Sequence, residues 1–405
     1  MKRHFLNTFR AFGYRQFRLV WIGAFASTTG TWMQIVAQSW VVLSMTGSAL
    51  YLGVDAFLAT APMILFSLFG GALADRIDRR KLLLLSQYLQ MTFALLLTVL
   101  ILTEVVEVWH ILALSFLTGT VQAIGGPAYQ ALLPLLVERD DVPNAIALNS
   151  MQFNLARMLG PVLAGIALAS LGAAACFGLN ALSFLAVIVM LSIIRTPFSP
   201  PARGQTSMLS DIREGFRFLG ERKEIFHLSL IAFVAAFFGI PMVTLLPVVA
   251  RDVFQTGATG YSMLMAISGA GSVCGALLLA SVGNTARKGL LTLRLMLAFA
   301  ILLIAFSLSS NYWVSAGISF LTGATFLGVI AMTSSLVQLA TIETMRGRVM
   351  SIFMLAFRGG MPLGNLLSGW TADRFSVRTA LLVDGIGLAV FVVLFLVPRS
   401  RVRDL

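Results

Sequence analysis

Four ionisable side chains stand inside long apolar runs of this 405-residue chain: Asp55, Arg157, Arg358 and Asp384. If such a run crosses a membrane, a charge within it costs roughly 2.5–3.5 kcal/mol, so the residue is kept to handle ions or substrates, or is paired. The chemistry open to a carboxylate there is proton binding, because burial raises its pKa and a neighbouring arginine in another conformation lowers it again. Asp55 lies about one and a half turns into its run and is the first candidate for carrying a coupling proton. The plainer reading is a helix-end group solvated from outside. Arg157 and Arg358 lie deeper, and two readings stand for both: hydrogen bonding to backbone carbonyls, or a positive cavity that attracts anionic substrates or opposes proton occupancy.

Neutral polar groups fall at helical spacing in the same kind of run. Thr31, Gln34 and Gln38 share one face at i, i+3 and i+7, Thr118 and Gln122 share another, and Asn154 and Asn365 lie near the two arginines. Trp32, Met33, Phe237, Phe238, Met354 and Phe357 would wall such a site with apolar and adaptable side chains, although each also serves as ordinary packing. The mixture suits an amphipathic organic molecule better than a sugar. Enzyme chemistry finds no paired carboxylates, metal cluster or nucleophile motif at a membrane face. No GxxxxGK[ST] loop is present to use ATP, so protons are the expected coupling ion and no cofactor or metal is expected. The histidines His4, His110 and His227 form no constellation, and Cys176 and Cys274 read as small packing residues.

The elements that must position these groups follow from composition. Only 11% of the residues are charged and 58% are hydrophobic, against about 25% charged in soluble domains. The net charge of +12 would suit nucleic acid only on a soluble basic module, and none is found. Apolar runs separated by Gly, Pro or charge predict twelve transmembrane helices, at 18–45, 49–73, 82–103, 109–131, 145–170, 174–195, 225–250, 259–282, 289–309, 312–340, 348–372 and 377–398. Of the 29 Lys and Arg, only Arg251, Arg374 and Arg378 fall on the side opposite the termini, and only Arg157 and Arg358 lie deep inside spans. By the positive-inside rule both termini are then cytoplasmic.

Internal repetition divides the chain. SFLTG at 115–119 recurs at 319–323, and the same offset of 204 places Gly160 on Gly364 and Gly165 on Gly369. Thr46, Gly47 and Tyr51 match Thr256, Gly257 and Tyr261 at an offset of 210, and Arg80-Lys81 match Arg287-Lys288 at 207. The reading is two six-helix halves, 1–195 and 225–405, joined by a cytoplasmic linker at 196–224. Within the linker Leu209, Ile212, Phe216 and Leu219 predict a short amphipathic surface helix. Parallel repeats of this kind describe a transporter with its site near the bilayer midplane, worked by alternating exposure.

The densest charge, Asp75, Arg76, Asp78, Arg79, Arg80 and Lys81, is then the cytoplasmic turn between spans 2 and 3. Asp75 can accept from the unpaired N–H groups at a helix start and pair with an arginine in one packing only, a latch biasing one conformation by about 1–3 kcal/mol. The basic residues also orient the chain and meet phospholipid headgroups. On the plainer reading the cluster only sets topology.

At this turn the chain resembles the major facilitator superfamily. Gly71, Asp75, Arg76, Arg79 and Arg80 match its signature in place, with Asp78 where a second Gly is usual. An acidic residue there is frequent in the branch containing the enterobactin exporter and macrolide efflux proteins. FNLARMLGPVLAG (153–165), ARDVFQTGATGYSMLMA (250–266) and RGRVMSIFMLAFRGGMPLGNLLSG (346–369) resemble the same branch. Gly160, Pro161 and Gly165 resemble the antiporter signature of its exporters, with Ala164 in place of one Gly, and physically give a bend that can seal a cavity. The resemblance implies that span 12, with Asp384, is peripheral. It implies an all-α, twelve-helix fold and an exporter of amphipathic drug, macrolide or siderophore type, driven by proton antiport in a bacterial inner membrane. A monomer with protons, lipid and a small amphipathic substrate as partners, and no nucleic acid, is expected. A proton-coupled uptake permease is the alternative, and a membrane sensor or scaffold a further one.

Overall fold

The computed structural model of the chain describes residues 9–74, 78–194, 222–282 and 288–396. The predicted surface helix at 209–219, and the linker carrying it, lie outside these residues. With no water in a bilayer core to satisfy backbone groups, a spanning segment must bond internally, and the regular structure among the described residues is helical throughout. The first six helices are α1 (Arg15–Thr46), α2 (Ala49–Ala74), α3 (Arg79–Leu102), α4 (Val108–Leu132), α5 (Val142–Ser170) and α6 (Ala173–Ile193). Then follow α7 (Lys223–Gly239), α8 (Gly257–Val282), α9 (Lys288–Leu308), α10 (Tyr312–Ala340), α11 (Arg346–Arg374) and α12 (Val377–Leu396).

By length and composition 11 of the helical segments can cross a membrane, and α1 is not among them. Its 32 residues are ample, but Ser27, Thr28, Thr29, Thr31, Gln34 and Gln38 crowd its middle. Counting α1, the described helices correspond to the spans that the sequence predicts. The predicted span 225–250 is interrupted: α7 ends at Gly239, a short helix runs Pro241–Val248, and a π turn covers Val249–Val253. Pro241 and Pro247 each withhold a backbone donor, and the chain re-registers its hydrogen bonds around them.

Two compact units emerge: Met1–Val42 with Ala61–Arg203, and Leu43–Thr60 with Gly204–Leu405. In the first, α1 lies on α6 where Gly23 and Gly30 face Val187, Met190, Asn180 and Ser183, and it crosses α5 at Gly160, where a Cβ would strike Trp32 and the Thr29 carbonyl. An apolar cluster with Phe17, Leu82, Leu132, Leu148 and Leu191 closes the end that bears the chain's N-terminus. There Tyr14 Oη donates to Asp141 at 2.9 Å, a bond that holds the phenol proton on above the usual tyrosine range, and Arg10 pairs with the same carboxylate at 3.5 Å.

In the second unit α11 crosses α7 at Gly364 and Gly360, where a Cβ would strike the carbonyls of Phe237 and Phe233. Gly271 and Gly275 of α8 face the backbone of α10 at Phe320 and Ala324, so this small-residue pair is packing, helped by Ser272 Oγ donating to the Gly323 carbonyl at 3.1 Å. Within their own units, Gly160 and Gly364 make the same kind of crossing. The paired turns agree as well, since Gly47 and Gly257 both take positive φ, +68 and +66.

Candidate functional site

The polar face of α1 is largely spent on its neighbours in the first unit. Thr31 Oγ1 donates to the Ser27 carbonyl at 2.9 Å, one turn back. Gln34 accepts from Asn180 Nδ2 of α6 at 2.6 Å, and Gln38 donates to Ser115 Oγ of α4 at 2.9 Å. On α5, Asn154 donates back to the Ser150 carbonyl at 2.8 Å, and Gln152 donates to the Ala24 carbonyl at 3.0 Å. These bonds satisfy polar groups that lipid could not, and they fix helix register. Thr118 and Gln122, on one face of α4, are half-buried and make no hydrogen bond among the described residues.

Trp32 sits where α1 and α5 meet. Its ring centroid is 6.2 Å from that of Phe153, the planes inclined at 68°, and the Arg157 guanidinium lies 5.8 Å above the indole. Gly160 permits the approach, and Pro161 and Gly165 are buried beside it in an unbroken α5. Phe153, Arg157 and Gly160 follow one another at roughly one-turn spacing, which puts an exposed ring, a cation and a close crossing on one face. Phe153 was absent from the residues expected at the site; its spacing from Arg157 was the available signal.

In the second unit Phe237 stacks on Phe233 at 5.9 Å and meets Phe238 edge-on at 4.9 Å. Phe238 packs on Gly387 of α12, which gives it a packing role. Asn365 is buried and accepts from Thr244 Oγ1 at 2.8 Å, while Phe357 is half-buried and Arg358 is exposed on α11. Asp55 is buried in α2, and Asp384 is buried in α12 with Ser368 Oγ donating to both carboxylate oxygens at 2.9 Å. Neither Ser368 nor Thr244 figured among the expected site residues, since a lone hydroxyl in an apolar run carries no spacing signal.

At the charged turn Gly71 lies in the last turn of α2, and Asp75 and Arg76 lie outside the described residues. Asp78 caps α3, accepting from the backbone N–H groups of Arg80 and Lys81 at 2.8 and 3.2 Å. Arg80 Nη2 donates to the Ser192 carbonyl at the end of α6 at 2.7 Å, and Arg79 Nη1 reaches the Ala131 carbonyl at the end of α4 at 3.5 Å. Both cations meet the negative ends of helices, where carbonyls lack intrahelical partners.

A cavity of about 490 Å³ opens in the second unit, where the α1–α2 turn meets the π turn Val249–Val253 and the end of α11. Arg251, Asp252, Asp373, Ser376 and Arg378 line it. Arg251 forks onto Asp252 at 2.6 and 3.0 Å and reaches the Gly47 carbonyl at 3.1 Å, while Ser48 Oγ donates to Asp373 at 2.6 Å. No cluster of three His, Cys, Asp or Glu side chains that could hold a metal occurs among the described residues.

An all-helical chain of this span count, with bonded polar groups and buried carboxylates at membrane depth, has the build of a polytopic membrane transporter. A family model for transmembrane secretion effectors matches residues 6–405. The chain belongs to this family of the major facilitator superfamily, whose members are membrane transporters and not enzymes. It is 27% identical over 397 residues to a staphyloferrin A transporter of Staphylococcus aureus, covering 92% of this chain and 93% of that one. It is 28% identical over 402 residues to the multidrug efflux pump Tap of Mycolicibacterium fortuitum, covering 96% and 97%. The crystal structure of the nucleoside transporter NupG superposes with a TM-score of 0.74 at 13% identity, covering 95% and 98%, a likeness of fold.

Proposed function

We propose that the chain exports amphipathic small organic molecules, of drug, macrolide or siderophore type, by alternating access coupled to proton antiport. The observation that carries this reading is the meeting of α1 and α5, where Trp32, Phe153 and Arg157 gather on a face whose neighbouring amides are already bonded. An apolar ring pair with one cation suits a ligand that is greasy on one side and polar on the other. The full-length relatives named as a siderophore transporter and a multidrug efflux pump support export. Asp55, buried in α2, is the preferred carrier of the coupling proton. The skew of Lys and Arg toward one set of connections supports both termini in the cytoplasm, and the bacterial relatives support a bacterial inner membrane. The protein is taken to work as a monomer among lipids.

The test is flux in vesicles of purified protein under an imposed pH gradient, with dyes, macrolides and catecholates as candidates. Movement of at least one compound against the inward proton flow, abolished by an uncoupler, is expected. Movement in the same direction as the protons would replace export with uptake. No gradient-dependent flux of any compound would remove the proposal.

A further inference from the structure

We infer that the substrate is an anion carried on an aromatic or apolar body, and that Arg157 together with the Trp32 ring recognises its charge. The export reading supplies only the fate of this ligand, and the recognition stands on the geometry of the first unit.

Arg157 is half-buried in the middle of α5, its guanidinium 5.8 Å from the Trp32 ring centroid. Among the described residues no carbonyl and no carboxylate reaches that guanidinium, which favours the reading in which its charge serves a cavity. Five N–H donors at membrane depth are costly when they face lipid, so the group must look into space that water or a ligand fills. A guanidinium over an indole face is held by the ring's charge distribution and not by its N–H groups, which are left to receive a carboxylate, sulfonate or phenolate. Phe153 brings a second, 48% exposed ring to the same spot, 6.2 Å from Trp32, against which an aromatic body can lie.

The charge content of the helices lying wholly in the first unit, with the end of α1, favours an anion. α1, α3, α4, α5 and α6 contain no Asp or Glu, and apart from basic residues at the starts of α1 and α3 their one Lys or Arg is Arg157. A cationic ligand would find no counter-charge on these helices, and the indole face that attracts cations already holds a guanidinium. The amides Gln34, Gln38, Gln152 and Asn154 are neutral and supply no counter-charge; Gln34 Oε1 already accepts from Asn180, and the other three are bonded through their side-chain N–H groups.

The experiment compares two dyes with the same xanthene skeleton and opposite charge, carboxyfluorescein and rhodamine 6G, by fluorescence anisotropy on the purified full chain. The native protein is expected to bind carboxyfluorescein at least roughly tenfold more tightly than rhodamine 6G. Arg157→Gln should weaken carboxyfluorescein by roughly tenfold without weakening rhodamine 6G, and Arg157→Lys, which keeps the charge but loses the planar fork, should fall between native and Arg157→Gln. The native comparison needs no variant, so a misfolded Arg157→Gln protein leaves the test intact. A native preference for rhodamine 6G, binding of neither dye, or a folded Arg157→Gln protein that binds carboxyfluorescein like native overturns the inference. Flux in vesicles separates it from export: Arg157-dependent binding without flux removes export alone, whereas flux indifferent to Arg157→Gln removes this recognition alone.

Discussion

Asp78 illustrates how a side chain can depart from a family pattern and still be explained locally. Where glycine is usual, its carboxylate accepts the first free N–H groups of α3, a cap worth about 1 kcal/mol. Arg79 and Arg80, expected to orient the chain and to serve a latch, reach the carbonyl ends of α4 and α6. Their basic character was plain in the sequence; their acceptors were not, because those lie 52 and 112 residues away. Asp55 and Asp384 are both buried carboxylates, and Asp384 has its two oxygens on one hydroxyl of α11. If Asp55 carries the coupling proton, Asp55→Asn keeps the shape and removes the titration, so pH-driven efflux should fall to background while membrane insertion is unchanged. Asp384→Asn should retain pH-driven efflux, since an amide oxygen can still accept from Ser368. The two variants assayed side by side in vesicles check this, and efflux unchanged in Asp55→Asn rejects the role.

Among elements, helix crossings rather than polar contacts set the tightest tolerances. α11 approaches α7 so closely that a Cβ at Gly360 or Gly364 would run into backbone carbonyls of Phe233 and Phe237, whereas one at Gly359 would meet only the Phe233 ring edge at 3.9 Å. Backbone cannot step aside as a flexible side chain can, so Gly364→Ala should cost about 1–3 kcal/mol. Gly359→Ala should be neutral or gain up to about 1 kcal/mol from helix propensity. Thermal unfolding of the purified variants in detergent distinguishes the neighbours, and equal melting temperatures would contradict the crossing geometry. The sequence repeat had paired Gly160 with Gly364 without saying what they touch. That both lie at a helix crossing is a matter of three-dimensional approach, which spacing alone does not encode.

For the whole molecule, the division into units runs through the helices themselves. α1 and α2 begin or end in the unit formed with residues 204–405, because Leu43–Thr60 cluster there, while the rest of each helix belongs to the other unit. Within that unit the turn is held by Ser48 on Asp373 and by Arg251 on the Gly47 carbonyl. If transport proceeds by alternating access of the predicted halves 1–195 and 225–405, this turn must separate from α11 once per cycle. A short bis-methanethiosulfonate cross-linker, which joins Ser48→Cys to Asp373→Cys through disulfides, with Cys274 replaced by Ser, should therefore abolish flux, and reduction of those disulfides should restore it. Undiminished flux in the cross-linked protein would exclude the cycle.

Sequence by itself determined the number and places of the spans, the skew of basic charge and the internal repeat. Each of these depends on how a stretch of chain meets lipid or water, which composition and periodicity carry locally. It could not have told which polar groups are consumed by one another. Gln34 with Asn180, Gln38 with Ser115 and Asn365 with Thr244 are joined across 146, 77 and 121 residues. Only the tertiary structure decided that these amides find partners and that, among the described residues, no carbonyl or carboxylate reaches the Arg157 guanidinium, because a hydrogen bond is settled by which helices come to lie side by side.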